Sequence, residues 1–108
     1  MSQVKHFGVF LFKPTISAAH IDHCFAEMRG MVGKIPGLLE MSHGLYQSPE
    51  SMHDGFTHGF IMTFESAAAR DAYLPHPEHE RVRQIVVPSL ERVVVFDFAV
   101  LPEFRKTV

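Results

Sequence analysis

Tyr73 and His79 are the two residues of this sequence whose types and spacing best suit acid–base chemistry. A neutral imidazole can remove a proton from carbon, and a phenol can donate a hydrogen bond to a developing oxyanion. His79 is expected on the buried face of its helix, because Val82 and Val86 follow it on that face. The alternative interpretation is structural: a core histidine bonded to a core tyrosine where prolines break the helix.

His6 and His58 are the second pair of interest. Along two expected strands they alternate in phase with Phe10 and Phe60, so each pair shares one face of its strand. If the two strands are neighbours, both histidines could line one cavity and polarise a ligand there. The alternative is that each imidazole bonds to backbone or solvent at an end of the sheet.

The histidine spacings do not indicate a metal site. His20 and His23 are three residues apart, as are His76 and His79, but a zinc site needs three or four ligands. The single Cys24 lies on the apolar stripe of an expected helix, where cysteine behaves as a small hydrophobe. No glycine-rich phosphate loop, nucleophile elbow or dinucleotide fingerprint occurs. The sequence predicts neither a metal nor a cofactor.

Length and composition indicate one ordinary globular domain that covers residues 1–108. The net charge is −2 and the basic residues are scattered, which disfavours nucleic acid and anionic membranes as partners. The apolar run Phe7–Phe12 is too short for a signal peptide or a membrane span. One cysteine suits a reducing compartment, so a cytoplasmic protein is expected.

Hydrophobic periodicity predicts the element order β-α-β-β-α-β, with the second helical segment interrupted by prolines. The strands are expected at Val4–Lys13, Leu38–Gln47, Phe56–Glu65 and Arg92–Val100. The helices are expected from a cap at Thr15 or Ser17 to Ile35, at Ala67–Leu74, and from Pro77 to about Val87. Ser48–Gly55 is expected to be a loop, and Leu101–Val108 a loosely held tail. Right-handed crossovers then predict a ferredoxin-like α+β fold with strand order four, one, three, two and helices on one face.

The expected strands one, three and four carry apolar residues on both faces, although the helices can cover only one of them. An uncovered apolar face of that size needs a partner, and an identical sheet is the simplest one. The sequence therefore predicts a homodimer through the helix-free face of the sheet.

Five segments resemble the stress-responsive dimeric α/β-barrel (Dabb) family, in order over nearly the whole chain. They are Val4-Lys5-His6, Ile35-Pro36-Gly37, the strand from Phe56-Thr57-His58 to Thr63-Phe64-Glu65-Ser66, Tyr73-x-x-His76-Pro77-x-His79 and Val95-Phe96-Asp97-Phe98. The resemblance implies a ferredoxin-like protomer and a dimer in which the two sheets form one barrel.

The resemblance also implies roles for individual residues. A plant cyclase of this family closes a linear polyketide thioester by aldol condensation without a cofactor, and its catalytic Tyr and His resemble Tyr73 and His79. Two further pocket histidines of that enzyme resemble His6 and His58. Its apolar tunnel corresponds to Gly8, Phe10, Cys24, Phe25, Met28, Phe60, Leu74, Val82, Ile85, Leu90, Val93 and Val95. Met28 replaces a tyrosine and Leu90 a tryptophan, so the substrate of the cyclase is not carried over.

Three functions remain open at this point. The first is binding of a small, largely apolar carbonyl compound, with enolisation or aldol-type cyclisation by the Tyr73–His79 pair. The second is a non-catalytic stress-responsive dimer or a protein that sequesters a ligand. The third is a cofactor-free monooxygenase- or isomerase-like relative on the same fold. A cavity that contains the Tyr73 hydroxyl and His79 would favour the first function, and a packed core the second. We expect His6 and His58 at or near the wall of that cavity.

Overall fold

A computed structural model describes residues 2–102, which form one antiparallel sheet of four strands with three helices. The strands are β1 (Val4–Phe12), β2 (Leu38–Leu45), β3 (His58–Phe64) and β4 (Leu90–Ala99), and the helices are α1 (Ala18–Gly30), α2 (Ala67–Tyr73) and α3 (Pro77–Val86). The sheet order is β2-β3-β1-β4, which confirms the predicted ferredoxin-like topology. From position 103 onward, the predicted tail lies outside the described residues.

Polar caps and prolines set the beginnings of the helices. Ser17 Oγ accepts a hydrogen bond from the His20 amide at 3.1 Å, and Ser66 Oγ does the same for Ala69. Pro77 is the first residue of α3, as predicted. The first helix ends earlier than expected, at Gly30, because a 3-10 turn at Met31–Gly33 carries the apolar spacing onward. None of the helices described over residues 2–102 is long and apolar enough to cross a membrane.

Gly37 makes the turn that leads into β2. Its φ of 83° lies in the left-handed region, and an added Cβ would lie 2.5 Å from the Cβ of Ala69. The Gly37 carbonyl accepts a hydrogen bond from the Glu65 amide at 2.9 Å. The turn therefore holds the start of β2 against the segment that leads into α2.

One face of the sheet forms the core with the helices. Along β1 every second residue is more deeply buried, and Val4, Phe10 and Phe12 contribute to the hydrophobic cluster. The most completely buried side chains of the cluster are Cys24, Met31, Met62, Phe64 and Val82. Cys24 thus occupies the buried position that its spacing predicted.

The opposite face of the sheet carries no helix. We define this helix-free face by the side chains of Lys5, Phe7, Val9, Leu11, Ile61, Thr63, Val94, Phe96 and Phe98, which the strand register aligns in rows. Phe7 contacts Phe96 and Phe98, with ring centroids 5.5 and 6.2 Å apart. Phe96 is nevertheless 57% exposed and Val94 52%. The strands are therefore apolar on both faces, as predicted, and such a patch is typical of an interface.

A shallow groove of about 710 Å³ lies at one end of this face, where Gly44 and Gly59 pair across β2 and β3. The segment 46–57 joins these two strands and contributes Tyr46, Met52 and Phe56 to the groove. A Cβ on Gly44 would meet no atom within 4 Å. Packing among the described residues therefore does not require a glycine at position 44.

Candidate functional site

A cleft of about 380 Å³ opens on the helix side of the sheet. We call it the Tyr73 cleft, and its polar lining consists of His6, Tyr73, His79 and Arg83. Its apolar lining consists of Phe10, Met28, Met31, Phe60, Met62, Leu74, Val82, Val86, Val87, Leu90, Val93 and Val95. Val93 and Val95 are about half exposed, so the cleft is open along the edge strand β4. Few polar groups on a mostly apolar concave surface are typical of a small-molecule site.

The break between α2 and α3 brings Tyr73 and His79 together. Tyr73 is the last residue of α2, and the His76 amide bonds to its carbonyl at 3.0 Å in the turn that follows. His79 lies in the first turn of α3, after Pro77. The two rings stack with centroids 4.0 Å apart and planes inclined by 29°. The hydrogen bond between tyrosine and histidine considered from sequence is replaced by ring stacking.

Tyr73 is only 3% exposed, and its ring also contacts Phe64 at a centroid distance of 4.9 Å. Burial raises the pKa of the phenol well above its usual value, and the nearby negative charge of Asp97 adds to the rise. The hydroxyl has no hydrogen-bond partner within residues 2–102, and the Tyr73 side chain lines the cleft. Tyr73 is therefore a neutral phenol that can donate a hydrogen bond to a ligand.

The orientation of His79 determines which ring nitrogen can accept a proton. Nδ1 lies 3.0 Å from the carbonyl oxygen of Leu74, and since a carbonyl only accepts, Nδ1 carries the hydrogen. The lone pair is then on Nε2. Burial lowers the pKa of His79 most, and the nearby His6 and Arg83 lower it further, whereas the hydrogen bond to Leu74 and the carboxylate of Glu80 oppose the decrease. The imidazole is therefore neutral near pH 7 and can act as a base through Nε2.

His6 is a second imidazole at the cleft and is 8% exposed. Its Nδ1 lies 2.6 Å from Asp97 Oδ1, while Asp97 Oδ2 accepts a 2.6 Å hydrogen bond from Arg70. The ring stands edge-on to Tyr73 at 5.7 Å. The chain Arg70–Asp97–His6 holds this imidazole in place and can balance a positive charge on it.

Asp97 and Arg70 were not among the residues that we predicted for the site. A signal for Asp97 is present in the sequence, because it alternates with Val93 and Val95 on the helix side of β4. A carboxylate on a largely apolar face requires a donor or a cation as partner. The sequence does not show which cation this is, since Arg70 comes from a different element.

His58 lies away from the cleft, which corrects the expectation that it forms part of the cleft wall. It shares the helix side of the sheet with His6, as predicted. However, His6 pairs with Met62, whereas His58 pairs with Phe10, four residues farther along β1. At about 3.3 Å per residue this separates the two histidines by roughly 13 Å along the strand.

His58 belongs instead to a stack at the far end of the sheet. The Phe25 ring stacks on His43 at a centroid distance of 4.3 Å and faces His58 at 5.7 Å. Arg29 donates a 2.6 Å hydrogen bond to His43 Nε2, and His58 Nδ1 lies 2.7 Å from Thr57 Oγ1. Burial lowers the pKa of both histidines.

The predicted binding residues divide in the same way. Phe10, Met28, Phe60 and Val82 line the Tyr73 cleft, whereas Phe25 and Ile85 are absent from its lining. Of the other positions that the family resemblance implied, Leu74, Leu90, Val93 and Val95 line the cleft, whereas Gly8 and Cys24 do not. The space beside Gly8 is filled by the Phe60 ring, 2.7 Å from where a Cβ would lie.

The histidines at three-residue spacing have contacts of other kinds or are exposed. His20 Nε2 lies 3.0 Å from Ser89 Oγ, and His76 Nδ1 accepts the Glu78 amide at the start of α3. His23 is exposed, on the side of α1 opposite the apolar stripe. Within residues 2–102, His, Cys, Asp and Glu form no group of three or more that could hold a metal ion.

Comparisons with family models and with individual proteins both indicate the stress-responsive A/B barrel domain. A family model described as the Stress responsive A/B Barrel Domain matches residues 4–100. The chain is 34% identical over 95 residues to the stress-response A/B barrel domain-containing protein HS1 of Arabidopsis thaliana, covering 88% of this chain and 87% of that one. It is 28% identical over 95 residues to olivetolic acid cyclase of Cannabis sativa, with coverages of 88% and 94%.

Two solved structures resemble this fold closely. The hydroxynitrile lyase of Passiflora edulis superposes with a TM-score of 0.89 at 25% identity, covering 96% of this chain and 98% of that one. A dimeric ferredoxin-like protein of unknown function from Jannaschia sp. CCS1 gives a TM-score of 0.81 at 28% identity, with coverages of 91% and 99%.

Proposed function

Because the chain belongs to the stress-responsive A/B barrel (Dabb) family, we propose that it binds a small, largely apolar carbonyl compound in the Tyr73 cleft. We propose further that it promotes enolisation or aldol-type ring closure of this compound without a cofactor. The names of two relatives, a cyclase and a lyase, support an enzymatic role for this fold. The roles of individual residues follow from the contacts described above.

In the proposed reaction His79 Nε2 takes a proton from the carbon next to the carbonyl group. The electron pair of the broken C–H bond forms a C=C bond, and the carbonyl oxygen becomes an enolate oxygen. The Tyr73 hydroxyl donates a hydrogen bond to that oxygen as the charge develops. The enolate carbon then attacks a second carbonyl carbon, whose C=O electron pair moves to its oxygen, and this alkoxide takes the proton from the His79 imidazolium. Without a second carbonyl group, the enolate carbon itself takes that proton back.

His6 supports this chemistry as a second polar group at the same cleft. Its Nδ1 is tied to Asp97, so its Nε2 is the nitrogen left for a ligand. The apolar side chains of the lining lower the local polarity around these groups, which strengthens each hydrogen bond to a charged intermediate.

One observation carries the proposal. Tyr73 and His79 lie in contact in a mostly apolar cleft, and neither the hydroxyl nor His79 Nε2 has a partner within residues 2–102. Buried polar groups are normally paired inside the protein. Polar atoms left free at a cleft wall are therefore available to a ligand.

We propose that the working form is a homodimer joined through the helix-free face. Its exposed Phe96 and Val94 provide the apolar surface, and a structural relative is described as dimeric. The groove floored by Gly44 and Gly59 can receive a large side chain of the second copy, with Phe96 as the most exposed aromatic on that face. A two-fold axis would produce this contact twice in the dimer, once from each copy.

A second candidate function is ligand sequestration without turnover. It is favoured by the open edge of the Tyr73 cleft, where half-exposed Val93 and Val95 leave the ligand in reach of water. Such an opening suits binding and release, whereas enolate chemistry benefits from exclusion of water. Under either function we retain the prediction of a cytoplasmic protein.

The test is exchange of the α-protons of octan-2-one for deuterium in D₂O, followed by NMR. Wild-type protein should accelerate exchange, and His79→Ala should remove the acceleration while circular dichroism shows a folded protein. His23→Ala is the matched control, because His23 is exposed on α1 and should leave the rate unchanged. Binding of the ketone without exchange would favour sequestration, and no binding would refute both functions.

A further inference from the structure

Arg83 is the only permanently charged side chain among the residues that line the Tyr73 cleft in the described part of the chain. It lies on α3 one helical turn after His79, so the two side chains project from neighbouring positions of the same helix surface. Arg83 itself is exposed to solvent. Its guanidinium therefore lies at the mouth of the cleft rather than in its apolar interior.

The other arginines near this site are engaged in short ion pairs. Arg81 Nη2 lies 2.6 Å from carboxylate oxygens of both Glu27 and Glu78. Arg70 lies 2.9 Å from Asp71 and 2.6 Å from Asp97. Arg83 approaches Glu80 only at 3.9 Å, with both side chains more than half exposed. An exposed pair at that distance contributes little, so a ligand can replace Glu80 at small cost.

The charges around the cleft favour an anion. Within the described residues, the lining of the cleft includes no Asp or Glu. Asp97 stands behind His6, and its two oxygens already bond to His6 and Arg70. A carboxylate that enters the cleft thus meets the guanidinium without an opposing acidic group among the lining residues. The planar guanidinium matches a carboxylate with two parallel hydrogen bonds.

We propose that the ligand of the Tyr73 cleft is an oxo acid, whose carboxylate is bound by Arg83 while its carbonyl group reaches Tyr73 and His79. The inference rests on the proposed function and adds the substrate class. The apolar chain of the ligand lies against Phe10 and Met28. Since a water molecule takes about 30 Å³ in the liquid, the cleft of about 380 Å³ has the volume of roughly a dozen water molecules.

Calorimetric titration of the full chain at pH 8 with octanoate and with octan-2-one tests the carboxylate preference. Both probes carry eight carbons, and only octanoate is charged. Octanoate should bind at least fivefold more tightly, and 0.5 M NaCl should reduce that advantage. Arg83→Gln should abolish the advantage while the affinity for octan-2-one stays the same. Arg81→Gln, on the same helix but outside the cleft lining, is the control and should preserve it.

The outcomes separate this inference from the function on which it rests. Equal affinity of the wild type for both probes would overturn the carboxylate preference and leave the cleft as a ketone site. An equal loss of both affinities in Arg83→Gln would also overturn it, since Arg83 would then support the shape of the cleft. If neither probe binds to the wild type, the proposed function fails, and the inference fails with it.

Discussion

The rings of Tyr73 and His79 stack at a centroid distance of 4.0 Å, and the two side chains form no hydrogen bond with each other. Each therefore keeps its own polar atom for a ligand: the hydroxyl of Tyr73 and Nε2 of His79. The contact fixes both rings through their faces, which leaves the polar atoms at the ring edges free. Packing thus depends on the faces of the two rings, and the proposed chemistry depends on the polar atoms at their edges.

This separation predicts the behaviour of Tyr73→Phe. Loss of a hydroxyl without a partner within residues 2–102 should change the free energy of unfolding by less than about 1 kcal/mol. Loss of one donor to a developing oxyanion should reduce α-proton exchange about 10²- to 10³-fold. Urea denaturation and the exchange assay measure the two quantities. A large loss of stability with unchanged exchange would make the hydroxyl structural.

The depressed pKa of His79 predicts the dependence of activity on pH. Only the neutral imidazole acts as a base, so the rate should rise with pH through the pKa of His79 and then level off. Because burial lowers that pKa, the midpoint should lie below 6.5, the ordinary value for histidine. The exchange rate measured from pH 4.5 to 8 locates the midpoint. A midpoint above 6.5 would show that a carboxylate, and not burial, dominates around His79.

Stability should also decrease in mild acid. Burial lowers the pKa values of His43, His58 and His79 in the folded state, so below pH 6.5 the unfolded chain binds more protons than the folded one. Above about pH 6.5 these three histidines do not reduce the free energy of unfolding. As the pH falls toward their folded-state pKa values, they reduce it progressively. Thermal melts between pH 7.5 and 5 should show this trend. His58→Gln should flatten it, whereas the exposed His23→Gln should leave the slope as it is.

Asp97→Asn tests the chain from Arg70 to His6. The substitution keeps the shape of the side chain but removes the negative charge that His6 and Arg70 each contact at 2.6 Å. All three side chains are at most 24% exposed. A loss of about 1–3 kcal/mol is expected from the free energy of unfolding. Asp71→Asn is the control, because Asp71 is 67% exposed and should matter by less than about 0.5 kcal/mol. Equal effects of the two substitutions in urea denaturation would contradict a positioning role for Asp97.

The proposed dimer is tested by a charge on the helix-free face. Phe96→Asp should produce monomer or unfolded chain in sedimentation velocity, because interfaces of this kind bury well over about 1,000 Å² of largely apolar surface. Val87→Asp is the control: Val87 is 45% exposed, but it lies on the helical side and should leave the dimer intact. An unchanged sedimentation coefficient for Phe96→Asp would exclude this face as the interface.

The sequence was sufficient for the topology and for the proximity of Tyr73 and His79. Right-handed crossovers and strand periodicity lead to the observed sheet order. The proline break and the spacing to Val82 and Val86 place His79 beside Tyr73. These features depend on local chemistry and on general rules of chain geometry, both of which can be read from residue types.

Other features of the site depend on distances that residue types do not encode. Strand parity gives the face on which His58 lies, but not its position along the sheet, and so the prediction of one wall shared with His6 was wrong. The partner of Asp97 is Arg70, 27 residues away on α2, which only the packing of α2 reveals. The position of Arg83 at the cleft mouth likewise depends on how α3 packs on the sheet.

The bond between His6 and Asp97 joins side chains that are 91 positions apart, on the first strand and the last. A ribosome adds about 5–20 residues per second, so His6 is made roughly 5–20 s before its carboxylate partner exists. Throughout that interval the nascent chain lacks β4, and with it the strand that pairs along the outer side of β1. The cleft is therefore completed only after β4 has been synthesised, has left the ribosome and has docked beside β1.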